Sequence, residues 1–366
     1  MIKAKKVLVI LPTDTLAGAE LTLKRIAKYL SVNGYDITII FISKGDNGTW
    51  SDIHAKKIYL KAEREIYGLP LLLKEFVKFR MTGQSFDYAF SSHVHCNAVV
   101  SLARSIKLIN VKQQIMREST NIFSWFTGKT LKVFRFYYSF YRQDAAIICQ
   151  TSRMRSELLD NVPKLMNNNV FVLGNAIDYL GVRRRARVAI DLPVPSREIV
   201  MVGRLVKEKG CEILLRTFSQ MEDKSYSLRL IGAGPLRAEL ENLADKLGIQ
   251  DRVIFMGFSS NPLPYMRAAR LNVLSSVIEG FPNTLLEMMC VARRVVATEC
   301  TDGIKDIPGV TTCAPNCDKA LLSAIESSLA LEKKQVEENI KSMRRHTAQL
   351  TVENYVNTIF NKVEAG

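Results

Sequence analysis

Nowhere in the 366 residues do about 18 apolar residues run together, so no transmembrane helix is expected. The apolar run Val7–Leu11 follows Lys3, Lys5 and Lys6 but stops at Pro12, too short for the core of a secretory signal. Seven cysteines are scattered, odd in number and without a CxxC pair, which argues against a disulfide framework and for reduced thiols in a cytoplasmic protein. His93-Val94-His95 has too few suitably spaced partners for a metal site, so it reads as a loop lining a cleft. No recognisable nucleic-acid module is present either, and nucleic acid is not an expected partner.

Positive charge is abundant, and it is unevenly placed. The net charge is +15, and residues 1–190 hold 29 Lys/Arg against 14 Asp/Glu, while residues 191–366 hold 22 of each. A basic half beside a neutral half suggests an anionic partner, such as a phosphorylated substrate or an acidic membrane surface.

The length implies two domains. Short apolar runs alternate with helical spacing in two series. Val7–Leu11, helical Ala19–Leu30 and Ile37–Ile42 form the first βαβ unit, and strands follow near Tyr88–Phe90, Gln113–Met116, Ala145–Gln150 and Val170–Leu173. The rhythm restarts at Ile199–Val202 and continues through Ser227–Ile231, Val253–Met256, Leu271–Leu274 and Arg294–Thr298. This predicts an α/β protein of two doubly wound, Rossmann-like domains. The boundaries fall at 1–180, a basic, proline-bearing linker at 181–198, and 199–349. In such sheets, ligands bind beyond the carboxyl ends of the strands.

Three stretches there carry the chemistry. GRLVKEKG at 203–210 follows a strand and precedes a helix, which places Arg204 and Lys209 in the ligand-facing loop. GAGP at 232–235 is a lone GxG, better read as a tight turn allowing close backbone approach than as a dinucleotide fingerprint. EGFPNTLLE at 279–287 puts a carboxylate on each side of a predicted helix start. The N–H groups near Asn283–Leu285 can cradle a phosphate, while Glu279 and Glu287 can accept hydrogen bonds from sugar hydroxyls.

Together with GAE at 18–20, VIFMGF at 253–258 and NPLPYM at 261–266, these stretches resemble the GT4 family of retaining glycosyltransferases, which have the GT-B fold. The resemblance implies two domains facing across a cleft, with residues 350–366 returning to the N-terminal domain. It implies a nucleotide-sugar donor on the C-terminal domain and an acceptor mainly on the N-terminal one. Arg204 and Lys209 would then neutralise the diphosphate leaving group, Glu279 would hold donor-sugar hydroxyls and Glu287 the ribose. Gly203, Gly234, the Phe258 backbone, Gly280, Phe281, Asn283, Thr284 and Leu285 would line the donor. Gly18, with Ala17 and Ala19, would let the N-terminal loop approach the diphosphate or acceptor. With no DxD motif, neither a metal nor another cofactor is expected.

His93, His95, Arg117, Glu118 and Ser119 are the acceptor-side candidates. The chain departs from the family at Met288–Arg294, at Ile304 where proline is usual and at Asp306 where Glu is usual. KTLKVFRFYYSFYR at 129–142 sets basic residues beside aromatic ones, as in helices that lie on membranes. The expected activity is transfer of a hexose or N-acetylhexosamine, from a UDP-linked donor, to a lipid-diphosphate-linked saccharide. It would occur on the inner face of the cytoplasmic membrane, in O-antigen or capsule assembly. The alternative is a non-catalytic nucleotide-sugar-binding partner in such a complex.

Overall fold

The computed structural model describes residues 4–15, 18–43, 45, 48–192 and 196–364. Ala17 of the N-terminal loop and Pro193 and Pro195 of the expected linker lie outside them. The chain forms two compact units, Met1–Ala176 with Val352–Gly366, and Ile177–Thr351.

The first unit is a seven-stranded, wholly parallel sheet. Its strands are β1 (Lys6–Leu11), β2 (Asp36–Ser43), β3 (Lys56–Ala62), β4 (Ser85–Ser92), β5 (Asn110–Arg117), β6 (Ala146–Cys149) and β7 (Val170–Val172), in the order β3-β2-β1-β4-β5-β6-β7. β1 is apolar at every position from Val7 because both its faces are covered. Val7, Val9 and Leu11 pack with Leu23, Ile26 and Leu30 of the helix Gly18–Val32. Leu8 and Ile10, on the opposite face, pack with Phe76 and Phe79 of the helix Glu65–Met81. The C-terminal helix Val352–Glu364 joins the first of these cores through Tyr355, Val356 and Ile359. Its Phe360 ring stacks on Tyr88 at 4.8 Å between centroids.

The second unit is a six-stranded parallel sheet of β8 (Glu198–Val202), β9 (Ser227–Ile231), β10 (Val253–Gly257), β11 (Leu271–Leu274), β12 (Val295–Thr298) and β13 (Thr311–Cys313). Its order is β10-β9-β8-β11-β12-β13. Leu214, Leu215 and Phe218 of the helix Cys211–Gln220 cover one face, and Leu285, Leu286 and Met289 of the helix Asn283–Val291 cover the other.

Residues 181–198 are not simply a linker. Tyr179–Arg185 is a helix whose Gly181 N–H donates to Asp178 Oδ1 at 2.9 Å. Its Val182 and the following Ala186 are buried in the same core as Leu285, Met289 and Met343. The two buried apolar residues outweigh the arginines around them, of which Arg184, Arg185 and Arg187 are exposed and Arg183 is half-buried. The charge asymmetry therefore narrows. Counted by unit, the first holds 26 Lys/Arg and 15 Asp/Glu, the second 25 and 21.

Each sheet reverses its winding direction once, between β1 and β4 and between β8 and β11. The carboxyl ends of these strands flank the crevice where doubly wound sheets bind ligands.

Candidate active site

In the second unit, the switch point gathers the residues singled out by their spacing. β8 leads into Gly203 and the exposed Arg204. A single 3-10 turn, Lys207–Lys209, then ends at Gly210. Gly210 has φ +64°, and a Cβ there would lie 2.1 Å from the Ser275 carbonyl oxygen beyond β11. Only glycine allows this approach, which presses the turn against the β11 loop. The two loops are then tied. Ser275 Oγ donates to the Lys209 carbonyl at 2.9 Å, and Val277 N–H to the Glu208 carbonyl at 2.8 Å.

The result is a contact between two charged side chains 70 residues apart. Lys209 Nζ donates to Glu279 Oε1, which also accepts from Ser276 Oγ at 2.8 Å. The Lys209 and Glu279 side chains are only 18% and 14% exposed, so their pairing is screened less than a surface ion pair. The Glu279 N–H donates to the Cys300 carbonyl at 3.1 Å, and Thr301 Oγ1 donates to the Gly280 carbonyl at 3.0 Å, which fixes the loop. Burial, with the Glu279 charge second, pushes the Cys300 thiol up to about 12, so it stays a neutral wall residue.

The helix Asn283–Val291 opens beside this loop. Asn283 and Thr284 are half-buried in its first turn, and Glu287 is half-buried one turn on. Leu285 differs from expectation: its side chain is fully buried and its N–H donates to the Pro282 carbonyl at 3.1 Å. Gly234 also differs. A Cβ there would lie 2.4 Å from the Leu205 carbonyl oxygen, so its close approach is to the chain's own neighbouring loop. Phe258, just past β10, is 79% exposed, and Phe281 is half-buried. A cavity of ≈ 880 Å³ lies nearby, but its wall includes Glu208, Glu212, Glu239 and Asp318 and neither Lys209 nor Glu279. Its four carboxylates outnumber its three cations, Lys207, Arg216 and Lys246, which makes it a poorer diphosphate site than the Lys209–Glu279 loops.

Sequence reasoning missed Ser276, which orients Glu279, and Ser275, which holds the turn. The signal was present: two polar residues directly after an apolar strand.

The first unit's switch point is built differently. Gly18 opens the helix Gly18–Val32, and Glu20 is buried in its first turn. His93 begins the helix Val94–Ser105 with φ 73°, an uncommon conformation for a residue with a Cβ. Its Nε2 lies 3.6 Å from Glu20 Oε1, and His95 Nε2 lies 3.3 Å from Glu65 Oε2. Burial pulls both imidazoles down to about 4, helped by the Arg117 charge for His93 and by His93 for His95. Burial, then Glu20, raises the Glu65 carboxyl.

Arg117 and Glu118, expected as ligand contacts, are each only 2% exposed. Glu118 accepts from Tyr141 Oη at 2.7 Å, Tyr138 Oη at 2.9 Å and Asn97 Nδ2 at 3.3 Å. Burial raises its affinity for a proton, and those donors oppose the rise. Its acceptor capacity is spent inside the unit. Arg117 Nη2 donates to Asn175 Oδ1 at 2.5 Å and lies 2.6 Å from the Gln150 amide, whose oxygen faces it in the satisfying orientation. Ser119 is half-buried, 3.5 Å from Ser92 Oγ. Among the described residues, no group of three or more His, Cys, Asp or Glu side chains is placed to hold a metal ion.

Residues 196–330 match the family model "Glycosyl transferases group 1". They form a group 1 glycosyltransferase domain. This domain contains every element of the Lys209–Glu279 site. An uncharacterized glycosyltransferase of Methanocaldococcus jannaschii is 25% identical over 233 residues, 60% of this chain and 57% of that protein. The N-acetylgalactosamine-N,N'-diacetylbacillosaminyl-diphospho-undecaprenol 4-alpha-N-acetylgalactosaminyltransferase of Campylobacter jejuni is 32% identical over 138 residues, 38% of this chain and 37% of that protein. The chain thus spans little more than half of one relative and about a third of the other. In architecture the match is wider. The crystal structure of Anabaena HepE in complex with UDP and glucose superposes with a TM-score of 0.79 over 99% of this chain and all of that one, at 16% identity. The fold is GT-B.

Proposed function

We propose that the protein is a retaining glycosyltransferase. It moves a hexose or N-acetylhexosamine from a UDP-linked donor to a saccharide carried on a lipid diphosphate. The observation that carries this reading is the Lys209–Glu279 pair, set by Ser276 at the switch point of a group 1 glycosyltransferase domain. The C. jejuni relative's lipid-diphosphate acceptor and the UDP of the HepE complex support the choice of acceptor and donor.

Breaking the anomeric C–O bond leaves negative charge on the diphosphate and positive charge on the sugar ring. Arg204 and Lys209 stabilise the first, with the N–H groups at the start of the Asn283–Val291 helix. Glu279 Oε1 holds Lys209 in place, and its carboxylate accepts from a donor-sugar hydroxyl; Glu287 takes the ribose. The acceptor hydroxyl attacks from the face the diphosphate leaves, and its proton passes to the departing phosphate. The two cations do this work without a metal.

A non-catalytic binding role was suggested by the departures after Glu287. Met288–Ala292 are core residues and Ile304 is fully buried, so those changes lie in the interior, while Asp306 is exposed; the Lys209–Glu279 contact uses none of them. The test is to incubate the protein with UDP- and GDP-linked sugars and lipid-linked acceptors, following nucleotide release. Turnover with a UDP-sugar is expected. Tight donor binding with no turnover on any acceptor overturns the catalytic reading.

The acceptor surface is assigned to the first unit, on the cytoplasmic face of an anionic membrane. In its helix Gly128–Ser139, Lys129, Lys132, Val133, Arg135 and Phe136 are exposed while Tyr138 is buried. Such a mixed basic and apolar outer face suits a lipid headgroup layer. No helix among the described residues is long and apolar enough to cross a membrane.

A further inference from the structure

The second unit holds another cation cluster, away from Lys209 and Glu279. A cavity of ≈ 190 Å³ is lined by eight residues, five of them arginines: Arg183, Arg187, Arg267, Arg293 and Arg344. The other three are Ala186, Cys290 and Val291. No carboxylate lines it, and among the described residues none of the five arginines has an ion-pair partner.

This is not a casual surface arrangement. The cations come from four separate helical regions: Tyr179–Arg185 and the turn after it, Leu263–Ala268, the end of Asn283–Val291, and Lys333–Gln349. Arg183, Arg293 and Arg344 are half-buried. The Nε atoms of Arg293 and Arg344 are buried with no hydrogen-bond partner. Arg183 is held in place by its Nη1 donating to Tyr179 Oη at 2.6 Å. Burial, then the Arg183 charge, weakens the hold of Arg344 on its proton, and Arg293 adds to this. Converging like charges with unmet donors are unfavourable unless something anionic sits among them. The neighbouring Arg294 shows the contrast: its Nε donates to the Ser328 carbonyl at 2.8 Å and its Nη2 to the Leu331 carbonyl at 3.2 Å.

We infer that this arginine pocket is a second anion site, for a phosphate-bearing group. Guanidinium forks match phosphate oxygens two at a time. The cavity is smaller than the roughly 300 Å³ at which drug-sized ligands begin to fit, so it takes one phosphate group rather than a nucleotide. It is also separate from the donor loop. The helix Asn283–Val291 starts beside that loop and ends at the pocket, about 13 Å away at 1.5 Å per residue. The phosphate can be free in solution or the headgroup of a phospholipid.

The test uses the full chain with UDP present, so that the donor site is occupied. Inorganic phosphate and diphosphate are titrated calorimetrically against wild type, Arg293→Gln, Arg344→Gln and the double variant. Each single change is expected to weaken phosphate binding about tenfold, the value of one charged hydrogen bond, with UDP affinity unchanged. In phosphate-free buffer the double variant should melt no lower than wild type, because repulsion is relieved; if it fails to fold, the exposed Arg187→Gln replaces it. Co-sedimentation with phosphatidylglycerol vesicles separates the sources. Loss of vesicle binding in the double variant identifies a headgroup; unchanged vesicle binding with lost phosphate binding identifies free phosphate. If phosphate and vesicles both treat wild type and variants alike, the site does not exist.

Discussion

The two units share a winding pattern but use their switch points in opposite ways. In the first, the charged groups there are buried: Glu118 lies under three donors, and Arg117 is 2% exposed, with Nη2 donating to Asn175 and its Nε and Nη1 enclosed without hydrogen-bond partners. Burial also holds His93 and His95 toward the neutral form. In the second, Arg204 is exposed and Lys209 shares one partly exposed carboxylate oxygen with a serine. Total charge does not separate them as cleanly as the sequence halves suggest, since the arginine run at 183–187 belongs to the second unit. What separates them is how deeply the charged groups lie: Arg117 and Glu118 are 2% exposed, whereas Lys209 and Glu279 are 18% and 14% exposed and Arg204 faces solvent. An enclosed group holds a fold together, and a group left near the surface is available to a ligand.

The strongest way to break this comparison is at Lys209. Lys209→Ala removes a cation from the developing diphosphate charge and leaves Glu279 without its counter-ion. Turnover is expected to fall about 10²–10³-fold, the effect of removing one such donor. The melting temperature should fall as well, because the pair is only 18% and 14% exposed and the variant leaves the Glu279 carboxylate without its counter-ion. Steady-state rates with a UDP-sugar and a thermal melt check both, and undiminished turnover refutes the role. Gly210→Ala comes next. Its φ of +64° and the Ser275 carbonyl oxygen 2.1 Å from a Cβ leave no room for the methyl. The conformation alone costs about 1–3 kcal/mol. Chemical denaturation should show that loss, and turnover should drop as the Lys209 turn lifts from the β11 loop.

Much of this was legible beforehand, for identifiable reasons. Strands covered on both faces, such as Val7–Leu11 and Ile199–Val202, read as unbroken apolar runs. β3 did not, because Lys56, Lys57 and Lys61 interrupt an edge strand that is half exposed. The helix Glu65–Met81 was hidden by Gly68 and Pro70, which imitate a turn. Gly68 is there for packing, since a Cβ would lie 2.1 Å from Ile42 Cγ2. The loops that bring Lys209 and Glu279 together were readable because charged loop residues after apolar strands stand out. The burial of Arg117 and Glu118 was not, because their partners, Asn97, Tyr138, Tyr141 and Asn175, come from distant segments. The arginine pocket was invisible for the same reason, with four segments contributing.

Acid sharpens the contrast between the units. His93 and His95 titrate near 4 when folded and near 6.5 when unfolded, so the unfolded chain binds more protons between those values. Their contribution is therefore present above about pH 6.5 and lost as pH falls toward 4, by up to about 3 kcal/mol per histidine. Glu65, whose folded affinity for a proton is raised, opposes this in the upper carboxylate range. The second unit has only His346, also lowered by burial. Both tryptophans, Trp50 and Trp125, lie in the first unit, so their fluorescence reports its unfolding alone. Between pH 7 and 5 the urea midpoint by fluorescence should fall further than the midpoint by far-ultraviolet circular dichroism. Equal falls would show that the histidines are not what distinguishes the units.

The smallest expected effect is on membrane contact, and it tests whether each unit has its own anionic surface. Lys132→Glu on the helix Gly128–Ser139 should weaken binding to phosphatidylglycerol vesicles. Each basic residue near such a surface contributes about 1 kcal/mol, and a reversal of charge roughly doubles the loss. Phe136→Ser should weaken it further by removing an exposed apolar ring. Added salt screens this helix, because its charges face solvent. Exchanging chloride for phosphate at constant ionic strength should not affect it, since no pocket there grips a phosphate. The arginine pocket should respond in the reverse manner, to the identity of the anion more than to its concentration. Vesicle binding is therefore measured for wild type, Lys132→Glu and Arg293→Gln in chloride and in phosphate of equal ionic strength. If Lys132→Glu binds as wild type does in both, the basic face of the first unit is a solvated edge and not a membrane surface.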